Sequence, residues 1–168
     1  MSHPLILALF ESSSEAAQAA RELRALGIPQ ERVSIVARSH DEEGSLADAS
    51  GGSPGSEIED SRVAARLGEL SAHFLAAVAL VLPGIGPIVA DGPLAAGLGE
   101  AAGHAAGGIA RTLNRAGLDR SRAETWESQI ERGAVLIGAH VDRTSASGAA
   151  AVFAGSGASE VVELRWPA

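Results

Sequence analysis

Apolar residues concentrate in a central stretch of the chain, residues 74–110, whose only charged residues are Asp91 and Glu100. A segment from Pro83 to Pro87 interrupts this stretch, and a proline ends a helix because it lacks a backbone donor and clashes with the preceding turn. Apolar residues recur at helical spacing on both sides of the break. The pattern predicts a helical hairpin, with one arm ending near Leu82 and the other beginning near Pro93, where Asp91 would cap it. The predicted apolar faces are Val63, Leu67, Leu70, Phe74, Ala77, Val78 and Val81 on the first arm, and Leu94, Leu98, Ala102, Ala105, Ile109 and Leu113 on the second.

The second predicted arm also carries a glycine at every fourth position, Gly99, Gly103 and Gly107. An interior glycine costs a helix roughly 1 kcal/mol relative to alanine. A repeated glycine therefore suggests a compensating contact, and the usual one is the close approach of another helix backbone. We expect this glycine stripe to pack the hairpin and to hold a homo-oligomer together, most simply a dimer.

Shorter apolar segments flank the central stretch and predict an α+β fold. Unbroken or alternating apolar runs indicate strands, and runs with helical spacing that end at glycine indicate helices. The predicted strands cover residues 4–10, 33–38, 134–141 and 161–166, and the predicted flanking helices cover residues 15–26, 120–132 and 145–154.

The two ends of the chain resemble each other at a constant offset. Leu5, Leu7 and Leu9 correspond to Val135, Ile137 and Ala139, and the helix ending at Gly27 corresponds to the one ending at Gly157. Two βαβ units in one sheet predict a ferredoxin-like arrangement. Residues 1–38 and 133–168 would then form the ferredoxin-like domain, residues 39–56 a flexible acidic Gly/Ser linker, and residues 57–132 a helical insertion between the second and third strands.

A four-stranded sheet with helices on one face leaves the other face exposed to water. We expect the exposed side to be the one formed by Ile6, Ala8 and Phe10, and the insertion or a second subunit to cover it.

Composition narrows the possible partners. The formal net charge of −8 and the pI of about 5.1 argue against nucleic acid and provide no polybasic anchor for anionic lipid. The chain has no cysteine, and its first residues lack the basic region of a signal peptide, so we expect a cytoplasmic protein. The uncharged run over residues 74–90 is shorter than a membrane-spanning helix requires. Membrane contact through the hairpin tip remains an alternative.

Three segments of the chain resemble a bacterial general-stress or heat-induced protein family with a glycine-zipper hairpin. They are LFESSSEAAQAARELRALGIPQERVSIVAR, LPGIGPIVADGPLAAGLGEAAG and ERGAVLIGAHVD, and the likeness covers most of the chain outside residues 39–56. Its most specific part is the Pro-Gly-Ile-Gly-Pro segment followed by Gly92-Pro93-Leu94. The resemblance implies stress induction and no established catalytic residues, and glycine zippers in some members of the family suggest membranes.

The histidines are the candidate ligand-binding residues. His140 lies in the third predicted strand on the face shared with Leu136, where it could orient a ligand or ligate haem, although a structural histidine is the simpler interpretation. His73 and His104 lie about equally far from the hairpin tip and could form a metal or pH-sensitive pair. The simpler alternatives place His104 beside Glu100 and His73 at the edge of a packed face.

The sequence therefore predicts a non-enzymatic stress-response protein without a cofactor or metal. It would self-associate through the glycine stripe and bind an apolar small molecule or a partner. A peripheral membrane protein and a haem or metal-dependent protein using His140 are the two alternatives.

Overall fold

The computed structural model describes residues 2–38, 56–58, 73, 77–82, 85–101 and 108–167. These residues form an α+β fold built on an antiparallel sheet. The strands are β1 (His3–Phe10), β2 (Val33–Arg38), β3 (Ser56–Ile58), β4 (Ala77–Leu82), β5 (Gly86–Asp91), β6 (Val135–His140) and β7 (Glu160–Trp166). The helices are α1 (Ser13–Ala25), α2 (Pro93–Ala101), α3 (Gly108–Arg115), α4 (Arg120–Glu131) and α5 (Ala146–Gly155).

The described strands form one sheet in the order β3-β4-β5-β2-β6-β1-β7. Every pairing is antiparallel. Strand β6 lies between β1 and β2, and β7 pairs with the other side of β1. The four strands predicted at the two ends of the chain are therefore neighbours, and the hairpin β4–β5 extends the sheet beyond β2.

Two apolar cores lie on opposite faces of the sheet. On one face α1 and α5 pack against Ile6, Ala8 and Phe10. On the other face α2, α3 and α4 pack against Leu5, Leu7 and Leu9. The prediction that the insertion covers the Ile6, Ala8 and Phe10 side was therefore wrong. The residues on both sides of β1 are apolar, so the sequence of β1 could not indicate which helices cover which side.

The predicted first helical arm was also wrong where the structure describes it. Residues Ala77–Leu82 form β4, which pairs with β5 around the turn at Ile85, so residues 57–132, predicted as a helical insertion, are not purely helical. The sequence AVALVL fits a helical face and a strand equally well, and its valines favour the strand because their branched side chains restrict helical rotamers. The rest of the predicted first face, residues 63, 67, 70 and 74, lies outside the described residues.

The second arm is helical on both sides of the undescribed residues 102–107. Leu94 and Leu98 lie on α2, Ile109 and Leu113 lie on α3, and all four side chains are buried in the second core. Residues 102 and 105 of the predicted face, and the predicted linker except for Ser56, fall outside the described residues. Ser56 itself belongs to β3.

The internal repeat holds for the helices but not for the strands. Ala16, Ala19 and Leu23 of α1 and Ala146, Ala149 and Phe153 of α5, at the predicted offset, all lie in the same core. Leu5 and Val135, however, lie in opposite cores. An offset of one more residue matches the strands: it pairs Leu5 with Leu136, Ile6 with Ile137 and Ala8 with Ala139 on the same faces.

The turn between β5 and α2 approaches β2 closely enough to require glycine. Gly92 has a φ of +82°, and a Cβ atom at this position would collide with the carbonyl oxygen of Val33 and lie 2.7 Å from the Cα atom of Ser34. Only glycine combines this backbone conformation with so short an approach. The beginning of α2 is thereby held against β2, next to the cavity described below.

Candidate functional site

A cavity of about 310 Å³ lies at one end of the sheet, where β1, β6 and β7 meet the beginning of α2. Antiparallel pairing brings its residues together, because Trp166 lies opposite His3 on β7 and His140 lies opposite Leu5 on β6. Arg32, just before β2, and Val141 and Asp142, just after β6, also line the cavity. Its lining residues are His3, Arg32, Pro93, His140, Val141, Asp142 and Trp166.

The His140 imidazole is the buried centre of this site. Its Nδ1 lies 3.3 Å from Nε2 of His3, and its Nε2 lies 3.1 Å from Oγ of Ser34. The ring of Trp166 meets the His140 ring edge-on, with the two centroids 5.1 Å apart. Both ring nitrogens of His140 therefore have a polar partner, and the ring itself packs against Trp166.

The hydrogen-bond network indicates which nitrogen of His140 carries the proton. Oγ of Ser34 accepts from the backbone N–H of Leu94, 3.1 Å away. If the Ser34 hydroxyl donates to Nε2 of His140, then Nδ1–H of His140 donates to His3, and each of these groups has a partner. This arrangement requires a neutral His140. Burial, and secondarily His3, lowers the pKa of His140 from 6.5 to about 4, which favours the neutral form at pH 7.

The contact between Ser34 and His140 resembles part of a nucleophilic triad, but its burial supports a structural role. The Ser34 side chain is 0% exposed, so a substrate could not reach Oγ. The same oxygen caps the first turn of α2 through Leu94, which ties β2, β6 and α2 together. Asp91, the predicted cap, accepts instead from the N–H of Gly92 at 2.7 Å.

The rim of the cavity carries two charged residues. Arg32 is exposed, and no hydrogen bond or ion pair holds its side chain within the described part of the chain. Asp142 accepts hydrogen bonds from the Thr144 hydroxyl and from the N–H of Ser145, and these bonds lower its carboxyl pKa to about 2. The Asp142 carboxylate is therefore charged and already hydrogen-bonded within the chain, whereas the Arg32 side chain is available to a ligand.

The other predicted site residues do not join this cavity. His73 is buried elsewhere, where its carbonyl accepts from Nε2 of Gln30 at 2.6 Å. Desolvation by burial, then Arg24 and Arg21, lowers its pKa, and its Nδ1 has no hydrogen-bond partner among the described residues. His104 lies outside the described residues, so the proposed pairing of these two histidines lies outside them too.

One residue of the glycine stripe lies within the described helices. Gly99 is on α2, and a Cβ atom built there would meet no other atom within 4 Å. No helix of this chain's described part therefore packs closely on that side of Gly99. Gly103 and Gly107 lie outside the described residues.

Two imidazoles in one cavity raise the question of a metal ion. Among the described residues, no group of three or more His, Cys, Asp or Glu side chains is placed to hold one. His3 and His140 alone would be a weak ligand set.

Sequence reasoning singled out His140 but missed the other cavity residues and partners His3, Ser34, Arg32 and Trp166. One signal could have found His3: the predicted sheet makes the first and third strands antiparallel neighbours, so the start of one meets the end of the other. Ser34 gave no such signal, because its partners His140 and Leu94 lie 106 and 60 positions away.

Comparison of the chain with protein-family models, with curated proteins and with solved structures found no match. Within the described segments, the helices are too short or too polar to cross a lipid bilayer. The residues of the cavity therefore carry the functional interpretation.

Proposed function

We propose that this chain is a non-enzymatic binding protein that holds a small, largely apolar molecule in the cavity beside His140. The observation that carries this proposal is the convergence of a neutral buried imidazole, a half-buried imidazole and an indole on one cavity. A ligand with a flat apolar body would contact Trp166 and Pro93, and one polar group would face His3.

The size and chemistry of the cavity support this function. Small-molecule sites occupy about 300–1,000 Å³ and combine apolar walls with a few placed polar groups. The present cavity, at about 310 Å³, lies at the small end of that range. It suits a single-ring or two-ring compound better than a haem, which makes the haem alternative the weaker one.

We also infer a ferredoxin-like frame, with the chain between β2 and β6 as an insertion. The adjacent order β2-β6-β1-β7 and the position of α1 and α5 on one face support this inference. The insertion contributes the hairpin β4–β5 and helices α2 to α4, and its first described helix supplies Pro93 to the cavity. In this proposal the cavity lies where the frame meets the insertion.

A cytoplasmic role in a stress response, with self-association through the glycine stripe, remains part of the proposal. Within the described residues no atom approaches a Cβ built at Gly99, which leaves room for such a contact. Light scattering of the wild type and of Gly103→Leu tests the stripe: a lower mass for the variant is expected, and an unchanged mass and stability would remove this role. Flotation with anionic liposomes tests the membrane alternative, which predicts protein in the lipid fraction.

Ligand binding is tested by titrating the full chain with phenol, benzamide, indole and cyclohexanol, and following the indole N–H signals by two-dimensional NMR. At least one aromatic compound should saturate and shift the Trp166 signal, which the Trp166→Phe variant identifies. Trp166→Ala lacks this signal, so its binding is compared with that of the wild type by isothermal titration calorimetry. It should weaken binding at least about tenfold, because it removes an aromatic wall of the cavity.

Val162→Ala is the matched control, since Val162 lies on the same face of β7 but does not line the cavity. It should leave binding unchanged. Failure of all four compounds to shift Trp166 up to millimolar concentration would contradict the proposed function. Equal weakening by both substitutions would show that the compounds bind elsewhere or that β7 is perturbed as a whole.

A further inference from the structure

The outer edge of β7 is the longest free edge of the described sheet. β7 runs over Glu160–Trp166 and ends the strand order on one side, whereas the strand at the other side, β3, covers only Ser56–Ile58. Every second N–H and C=O along such a strand points away from its sheet. β7 therefore presents a template for pairing with another strand.

Two of the usual protections of an edge strand, a proline and a bulge, are absent from β7. Glu160–Trp166 contains no proline and pairs continuously with β1, and its charged residues are Glu160, Glu163 and Arg165. Its apolar residues, Val161, Val162, Leu164 and Trp166, are only partly buried. Natural proteins protect a long, partly apolar edge with proline, with charged side chains, with a bulge or with a covering segment. A partner strand would supply the missing cover.

The sequence of β7 is complementary to itself in one register. Two copies that pair antiparallel about a two-fold axis at Leu164 place Glu163 of each copy opposite Arg165 of the other. In the same register Val162 lies opposite Trp166 of the second copy. Opposite charges and large apolar side chains are the cross-strand pairs that stabilise a sheet.

The other symmetric registers near the middle of β7 are unfavourable. A two-fold axis at Glu163 places two glutamates opposite each other, and an axis at Arg165 does the same with two arginines. An axis at Val162 places Glu160 opposite Leu164. Directly opposite like charges destabilise a sheet, and the axis at Val162 pairs neither Glu163 nor Arg165 with an opposite charge. The register centred on Leu164 is therefore the favoured one.

Both charged residues are available for this contact. Glu163 and Arg165 are exposed on β7, and neither makes an ion pair or hydrogen bond with its side chain in the part of the chain that the structure describes. We propose that β7 is a homodimer interface, at which two copies of this chain join edge to edge with Leu164 on the two-fold axis. This contact is separate from the glycine stripe, and it shares Trp166 with the cavity.

Charge exchange tests the register. The mass of the full chain is measured by sedimentation at several concentrations for the wild type, Glu163→Arg, Arg165→Glu and the double variant. Each single variant creates two like-charge pairs and should weaken the dimer about tenfold or more, whereas the double variant restores opposite charges and should restore the dimer. Glu31→Arg, an equal change of charge at an exposed position away from β7, should have no effect.

A cysteine introduced on the axis gives a second measurement, since the natural chain has none. Opposite residues of paired strands have Cα atoms about 4.5–5.5 Å apart, which is within disulfide range. Leu164→Cys should form a covalent dimer under mild oxidation, whereas Val162→Cys should not, because its opposite residue is Trp166. A monomeric wild type, a double variant that stays weakened, or equal cross-linking of both cysteine variants would overturn the proposal.

Discussion

The two βαβ units of the sheet, β1–α1–β2 and β6–α5–β7, differ most in their last strands. Helices α1 and α5 pack on the same face and in the same core. β2 lies between β5 and β6 and is buried along nearly its whole length, whereas β7 is an edge strand with three exposed residues. Two similar local patterns thus end in a central strand in one unit and an edge strand in the other.

The difference comes from what lies beside the last strand of each unit. The hairpin β4–β5 occupies the outer side of β2, so the first unit becomes the interior of a wider sheet. The second unit keeps a free edge, and its strands supply His140 and Trp166 to the cavity. His140 and Trp166 of the cavity therefore come from the unit with the less covered strand, and His3 comes from the other unit.

Matched truncations of the two helices should cause the largest effects. Leu23 and Phe153 occupy equivalent buried positions, and Phe153 also meets the ring of Phe10 edge-on at 6.0 Å. Leu23→Ala should lower the free energy of unfolding by about 3 kcal/mol and Phe153→Ala by about 4 kcal/mol. Urea unfolding at neutral pH measures both. Leu26→Ala, at a position 53% exposed, is the control with little expected change. The reverse order would show that the second unit is packed less tightly than the first.

The pH dependence of stability should distinguish the units next, because His140 occupies the position that Leu9 occupies in the first unit. Burial and then His3 lower the pKa of His140 from 6.5 to about 4. Between these two values the unfolded chain binds a proton that the folded protein does not, so the free energy of unfolding falls as the pH drops below 6.5. Above pH 6.5 this contribution is constant.

We expect His140 to account for a loss of about 2 kcal/mol between pH 7.5 and pH 4.5. Urea unfolding at several pH values in this window, for the wild type and His140→Gln, measures the difference. The comparison is needed because other groups titrate in both proteins, including His73, whose pKa is also lowered. Identical pH profiles for the two proteins would show that His140 does not stay neutral in the folded state.

The glycines that end α1 and α5 should show the smallest difference. Gly27 and Gly157 have φ values of +84° and +93°, where alanine is strained. A Cβ atom at Gly27 would meet nothing within 4 Å, whereas one at Gly157 would lie 3.1 Å from Oε1 of Glu15. Gly27→Ala should cost about 1 kcal/mol, and Gly157→Ala slightly more, by thermal unfolding. Gly155→Ala, at an open helical position, should be neutral or slightly stabilising. A cost for Gly155→Ala equal to that of Gly157→Ala would contradict the conformational explanation.

Elements whose apolar residues fit either a helix or a strand, but not both, could be predicted from the sequence. Elements whose apolar residues fit both could not. Strand β2 and helices α1, α4 and α5 were predicted because their patterns fit one structure. Ser12 caps α1 and Asp119 caps α4. Residues Ala77–Leu82 fit two structures, and pairing with β5 decided for the strand. The face covered by each helix was also undecided, because β1 is apolar on both sides.

The candidate site was predictable only at one residue. His140 stands out as a polar residue in an apolar strand, so its sequence position already suggested a buried role. His3 and Ser34 are polar residues near strand ends and do not stand out, and their contact with His140 depends on strand order and register. Trp166 lines the cavity only because β7 pairs beside β1.

The sequence alone determined the α+β class, most of the helices and strands and the acidic charge, because these depend on periodicity, capping residues and composition within short segments. The tertiary structure decided which strands are neighbours, which face each helix covers and which side chains meet at the cavity. These outcomes depend on contacts between residues far apart in the chain. Several elements could cover the same apolar surface, and the sequence of a single segment does not show which one does. The free edge of β7 belongs to this second group, since only the order of all the described strands shows which strand lies at the edge.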